Sequence, residues 1–188
     1  MCANGICYYI ANMSITIRTA TPSDAGLIAD MSRQTFYDSF APDNSKENMD
    51  IFMNEVFTRD ALIDEVGAEG NTFFLAYLDT EPVGYARMRE GKNPGIGEGK
   101  PSIEIARIYA VQTAIGKGVG SALMQSCVDI AAQLRKEFIY LGVWENNKRA
   151  IDFYSKWGFE KYGTHVFMLG KDAQTDWLMW KSLATHDF

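Results

Sequence analysis

Positive charge is in short supply. Lysine and arginine number 18 against 24 aspartate and glutamate, for a net charge of −6. A surface of that sign repels phosphate, which argues against nucleic acid or an anionic membrane as partner. It suits a cationic partner such as an amine, although plain solubility would also explain it. Histidine is scarcer: only His165 and His186 occur, and neither has a metal-ligand neighbour in sequence, so no metal is expected. Cysteine is limited to Cys2, Cys7 and Cys127. An odd number with no zinc-like or disulfide-framework spacing favours a reducing compartment, hence the cytoplasm. No apolar run approaches the roughly 20 residues of a membrane span. The first twelve residues lack the basic start and apolar core of a secretion signal. Repeats and low-complexity linkers are absent too.

What is there suits a globular enzyme. The 188 residues are 47% apolar, enough for one domain with a real core. Met13 sits directly before a strand-like run. Residues 1–12 are therefore expected to be a disordered or non-native extension, and 13–188 one domain. Alternation over 15–19 predicts a strand. Thr21-Pro22-Ser23-Asp24 then starts a helix carrying Leu27, Ile28, Met31, Thr35 and Phe36 on its apolar stripe. A second helix is expected over 45–57, with Ser45 as cap. Strands are expected over 72–78, 83–88 and 102–111, the first two joined by a turn at Asp79-Thr80-Glu81-Pro82. Residues 91–101 read as a Gly/Pro-rich loop. A strongly amphipathic helix covers 118–134, with Val119, Leu123, Cys127, Ile130 and Leu134 on one face. A strand over 138–143, a helix over 147–157 and a strand pair over 159–169 and 175–183 complete the chain. The order β-α-α-β-β-β-α-β-α-β-β predicts an α/β fold, its sheet mostly antiparallel with one parallel step across the 118–134 helix.

The richest chemistry lies in Ile115-Gly116-Lys117-Gly118-Val119-Gly120-Ser121, which leaves a strand and opens a helix. Free N–H groups and the helix dipole make an anion site there, and glycines let backbone approach a phosphate closely. A Walker A loop is excluded because Val111 stands where its first glycine belongs. A dinucleotide fingerprint fails as well, since Ser121 or Leu123 falls where its last glycine or alanine should be.

This loop resembles the pyrophosphate loop of the GCN5-related N-acetyltransferases, Gln/Arg-x-x-Gly-x-Gly/Ala, with Gly118 and Gly120 in the glycine places. Ile115 stands where that family carries Gln or Arg; the backbone donors do not depend on residue type. A second stretch, from Asn147 through Ala150, Phe153 and Tyr154 to Gly158-Phe159, meets every marked position of the family pattern Asn-x-x-Ala-x-x-(Phe/Leu)-Tyr-x-x-x-Gly-Phe. Thr35-Phe36, Ser39-Phe40, Ser45 to Met49, Glu104-Ile105, Arg107-Ile108-Tyr109, Leu141 to Glu145 and Gln174-Thr175-Asp176 resemble the PaiA-type polyamine acetyltransferases in particular.

The resemblance implies a central sheet splayed between its fourth and fifth strands, flanked by helices, with acetyl-CoA as co-substrate. It implies direct attack of an amine, spermidine or spermine, on the thioester. Tyr154 would be the general acid that protonates the departing thiolate. Glu104 would be the general base, because an alkyl ammonium near about pKa 10.4 must lose a proton before attacking. Ile108, Tyr109 and Ala110 would hold the pantetheine arm. Gly116, Lys117, Gly118, Val119, Gly120 and Ser121 would hold the pyrophosphate, and Asn147, Ala150 and Phe153 would complete the cofactor site, with Lys148 and Arg149 near the phosphates. Asn147 suits a plain helix cap equally well. For the amine, carboxylates and aromatic faces attract a cation, which points to Glu47, Asp50, Glu55, Phe36 and Tyr37. The partner is then a small-molecule amine, and a homodimer is compatible with everything above. Two alternatives stay open: an acetyltransferase of protein N-termini or lysines, and an acyl-CoA-binding sensor without turnover. A serine hydrolase is excluded by the missing Gly-x-Ser-x-Gly elbow.

Overall fold

The computed structural model describes residues 14–91, 95 and 100–183. The expected extension over 1–12, most of the 91–101 loop and His186 lie outside them. Alternating burial makes β1 from Ile15–Thr19. Asp24 accepts from the Thr21 backbone N–H and hydroxyl, fixing the turn that starts α1, Ala25–Phe40. The buried face of α1 is Ala25, Ile28, Ala29, Met31, Ser32, Thr35 and Phe36; Leu27 points outward at 37% exposure. Small residues therefore take inner places that the sequence reading gave to Leu27, and the Ser32 and Thr35 hydroxyls are satisfied by carbonyls one turn back.

The expected 45–57 helix is split. Ser45 caps α2, Lys46–Ile51, which runs on into a π-helical turn over Phe52–Val56. A helix the sequence reading left out, α3, follows at Arg59–Glu65, capped by Thr58. Then come β2 (Asn71–Leu78), β3 (Glu81–Arg89), β4 (Ser102–Ala110), α4 (Val119–Gln133), β5 (Phe138–Trp144), α5 (Lys148–Lys156), β6 (Glu160–Leu169) and β7 (Asp172–Ser182). The β2–β3 turn sits at Asp79-Thr80, as the turn residues predict.

One seven-stranded sheet runs in the order β1-β2-β3-β4-β5-β7-β6. All neighbours are antiparallel except β4 and β5. That parallel pair is joined only from Ser102–Phe138 to Glu104–Tyr140. Beyond it the strands part, as the resemblance implies, and each leaves one backbone edge unpaired. The helices divide between the faces. On one face, Leu123, Met124, Cys127 and Ala131 of α4 and Tyr154 of α5 pack on Ile103, Ile105, Ile139 and Leu141. On the other, α1 packs on Phe73, Leu75 and Tyr85. The tip of the β6–β7 hairpin docks on α2: the Lys171 backbone N–H donates to Asn48 Oδ1 at 3.1 Å.

Candidate active site

The parting of β4 and β5 opens a cleft of about 1540 Å³ that passes from one face of the sheet to the other. Its walls on the α4–α5 side include Ile108, Tyr109, Ala110, Gly116, Gly118, Gly120, Ser121, Asn147, Ala150, Phe153 and Tyr154. Most of the expected cofactor-binding residues thus come together. Two do not line it: Val119 is 1% exposed, its side chain spent in the core, and Lys117 faces solvent. Their backbone N–H groups remain beside the turn.

The start of α4 is built differently from those of α2, α3 and α5. Ser45, Thr58 and Asn147 cap α2, α3 and α5 with side-chain oxygens. α4 is preceded by Gly118, at φ 88°, with no side-chain cap. The N–H groups of its first turn are left open, with the dipole behind them. Gly116, at φ 81°, has nothing within 4 Å of where a Cβ would be. An open helix start, preceded by a glycine with free space around it and sharing the cleft with Lys148 and Arg149, fits the anionic diphosphate of coenzyme A. The unpaired edges of β4 and β5 fit its pantetheine amides, which carry the donors and acceptors such edges lack.

Asn147 acts as a cap: its Oδ1 accepts from the Ala150 N–H at 3.1 Å. Its side-chain amide still lies at the cleft. Tyr154 is 9% exposed and packed between Phe153 and Phe159, yet its hydroxyl has no hydrogen-bond partner among the described residues. Burial, and behind it the neighbouring Cys127 thiol, pushes this phenol above its ordinary value, so it keeps its proton throughout the physiological range. Cys127 itself is sealed in the core, where burial pushes it up to about 12 and leaves it no role as a nucleophile.

The opposite mouth of the cleft is aromatic. Phe36 packs against Phe40 at 4.6 Å, Phe52 at 4.8 Å and Phe57 at 5.0 Å. Trp144 meets Phe40 at 6.1 Å, and Phe167 meets Phe52 at 5.5 Å. Arg33 holds the π turn that carries Phe52 and Phe57, donating to the carbonyls of Met53 and Phe57. Asp38, Asp43, Glu65, Glu104 and Asp176 are the carboxylates lining this space. Glu65 is already committed to Arg87 at 2.5 Å and Arg107 at 2.6 Å. Glu104, at the root of the splay, accepts from Arg89 at 2.8 and 2.6 Å.

The expected amine-binding residues divide. Phe36 is in the cleft, whereas Tyr37, Glu47, Asp50 and Glu55 are outside its lining. Glu47 points outward to Lys171 at 2.7 Å, because α2 turns that face to the β6–β7 tip. Asp50 pairs with Lys46 at 2.5 Å. Tyr37 and Asp50 instead border a separate surface hollow of about 400 Å³. Phe40, Phe52, Phe57, Phe167, His165 and Asp176 were not singled out as amine-site residues from sequence. Phe40 and Asp176 do lie in stretches that carry the resemblance, but only the fold turns them into one wall. Among the described residues no group of His, Cys, Asp and Glu is placed to hold a metal, and no helix is long and apolar enough to cross a membrane.

A profile of the acetyltransferase (GNAT) family matches residues 33–159. An uncharacterised N-acetyltransferase from the pepI 3' region of Lactobacillus delbrueckii subsp. lactis is 34% identical over 153 residues, covering 81% of this chain and 88% of that protein. The crystal structure of PaiA N-acetyltransferase from Thermoplasma acidophilum in complex with coenzyme A is similar in fold. Its TM-score is 0.74 at 21% identity, over 91% of this chain and 100% of that one. The structure of YncA from Salmonella typhimurium with its cofactor acetyl-CoA gives 0.69 at 18% identity, over 93% and 96%.

Proposed function

Since the chain belongs to the acetyltransferase (GNAT) family, and is an N-acetyltransferase with acetyl-CoA as co-substrate, we propose that its acceptor is a polyamine such as spermidine or spermine. The observation that carries this reading is the aromatic mouth dotted with Asp38, Asp43 and Asp176. A flexible polycation gains there from both ring faces and carboxylates. The net charge of −6 draws it in from solution.

Bound acetyl-CoA supplies the activated acetyl thioester. The chain positions, excludes water and moves protons. The open start of α4 and the free edges of β4 and β5 hold the co-substrate across the gap. The aromatic wall orients an amine on the other side for direct attack on the carbonyl carbon. As the carbon–sulfur bond breaks, Tyr154 delivers its proton to sulfur. Burial keeps the proton on the phenol until the departing sulfur takes it. The cytoplasm is the compartment we assign, on the cysteine usage, with 13–188 as the working domain.

The test is release of free CoA thiol from acetyl-CoA with spermidine, spermine, putrescine, a lysine peptide and a peptide with a free N-terminus. Release with the polyamines is expected. Release with the peptides alone would move the acceptor to protein amines. Acetyl-CoA binding without release from any amine would make the protein a sensor.

A further inference from the structure

We propose that Asp176, assisted by His165, takes the proton from the incoming ammonium, and that Glu104 does not. The proposal rests on the acetyltransferase reading above and adds the residue that prepares the nucleophile.

Three observations carry it. The first is position. Asp176 sits on β7, opposite Trp144 of β5 and His165 of β6, and its carboxyl lines the cleft. It belongs to the amine mouth, whereas Tyr154 lies in the core of the opposite face. The second is clearance. Gly142, the cleft-lining residue of β5 two places before Trp144, has no side chain. A Cβ there would stand 3.6 Å from Asp176 Oδ2 and 3.1 Å from His165 Cε1. Its absence leaves carboxylate and imidazole open to whatever enters between β4 and β5. The third is freedom from a permanent cation. Glu104 and Glu65 are held by guanidinium groups, which stabilise a carboxylate and so weaken it as a base. Among the described residues the only ion-pair partner of Asp176 is His165, with Nε2 at 3.9 Å, and no side chain hydrogen-bonds it.

The groups around Asp176 all bear on its proton. Burial raises it first, His165 lowers it, and Glu145 at the end of β5 raises it again. Tyr109 of β4, across the gap, feels its charge. The Asp176 side chain is 15% exposed, against 45% for His165, so the imidazole stands between the carboxylate and solvent.

The step balances. The ammonium gives one proton to Asp176, which releases it to water beside His165. The amine nitrogen bonds to the carbonyl carbon, the carbon–sulfur bond breaks, and sulfur takes the Tyr154 proton. The nitrogen's second proton restores Tyr154. One ammonium and one thioester become one amide, one thiol and one released proton.

The experiment compares wild type, Asp176→Asn and Glu104→Gln from about pH 6 to 10, on the best polyamine and on an amine of low basicity that is already neutral at pH 7. For the polyamine at pH 7, Asp176→Asn is expected to lower kcat by about 10²-fold or more. Activity should climb back as pH approaches the substrate's own value near about 10. On the neutral amine the loss should shrink to within a few-fold, with the Kd for acetyl-CoA unchanged throughout. In the free protein, carboxyl carbon-13 NMR should show one aspartate titrating above the ordinary 3.9, absent in Asp176→Asn. An equal loss on both amines, the same signature in Glu104→Gln instead, or no such resonance would overturn the assignment while leaving acetyl transfer intact. A wild type inactive on every amine would overturn both readings together.

Discussion

Tyr154 is the residue on which the thiol side of the proposed reaction turns. A tyrosine packed between Phe153 and Phe159 would ordinarily be a core residue. A buried hydroxyl without a partner costs stability, commonly about 1–3 kcal/mol. Here the hydroxyl borders the cleft, where a bound ligand can supply what the protein does not. Because burial raises the phenol, it can act as a proton donor and not as a base at neutral pH. Tyr154→Phe should therefore retain the fold, the melting temperature and the affinity for acetyl-CoA, and lose about 10²-fold in kcat. Equilibrium binding beside single-turnover kinetics checks this. An unchanged single-turnover rate would return Tyr154 to the core. Asn147 shows the opposite outcome at the same scale: its cap bond to Ala150 is formed in the protein alone, so stability already accounts for its presence.

At the scale of elements, the start of α4 is where we propose the co-substrate is held, and two of its glycines do separate jobs. Gly118 supplies a left-handed turn at φ 88°, which any other residue adopts only at a cost of about 1 kcal/mol or more. Gly120 lies inside the helix, where alanine is intrinsically better by up to about 1 kcal/mol. A Cβ there would rest 3.7 Å from the Phe153 ring, an ordinary contact, at the border of the cleft. Gly120→Ala, a residue the family pattern accepts at this place, should thus melt no lower than wild type and bind acetyl-CoA within a few-fold of it. Gly118→Ala should lose both stability and affinity. Calorimetric titration with thermal melting separates them; full affinity in Gly118→Ala would mean the diphosphate lies elsewhere.

These glycines were legible in sequence because a turn between strand and helix has few residue solutions. So was α5, whose Asn, Ala, Tyr and Gly-Phe each answer a local need. α3 was not legible. It has one buried residue, Leu62, so its seven positions show no apolar period. The π turn was hidden likewise, since it keeps helical residues and changes only their hydrogen bonds. The aromatic mouth was legible only at Phe36, for a different reason. Phe40, Phe52, Phe57 and Phe167 look like core phenylalanines and reach it from separate elements. Nothing local distinguishes Glu47, turned out to Lys171, from Asp176, turned in beside Gly142.

Seen whole, the molecule sets opposite charges at the two ends of one passage through a sheet. Lys148, Arg149 and the positive end of α4 line the proposed coenzyme side; Asp38, Asp43 and Asp176 line the proposed amine side. The surrounding net charge of −6 favours the second end at long range and opposes the first. Long-range attraction acts over a Debye length, about 30 Å at 0.01 M salt and about 8 Å at 0.15 M. It also scales with the charge of the approaching ligand. Between those ionic strengths, kcat/KM for spermine should fall about tenfold or more, and for a monoamine by about twofold or less. Acetyl-CoA, repelled at a distance and held only by nearby groups, should bind with little change. Turnover measured across a salt series at saturating acetyl-CoA tests the first two, and direct titration the third. Equal slopes for the tetra-amine and the monoamine would mean that the acidic surface keeps the protein soluble and that selection of the acceptor happens only inside the aromatic mouth.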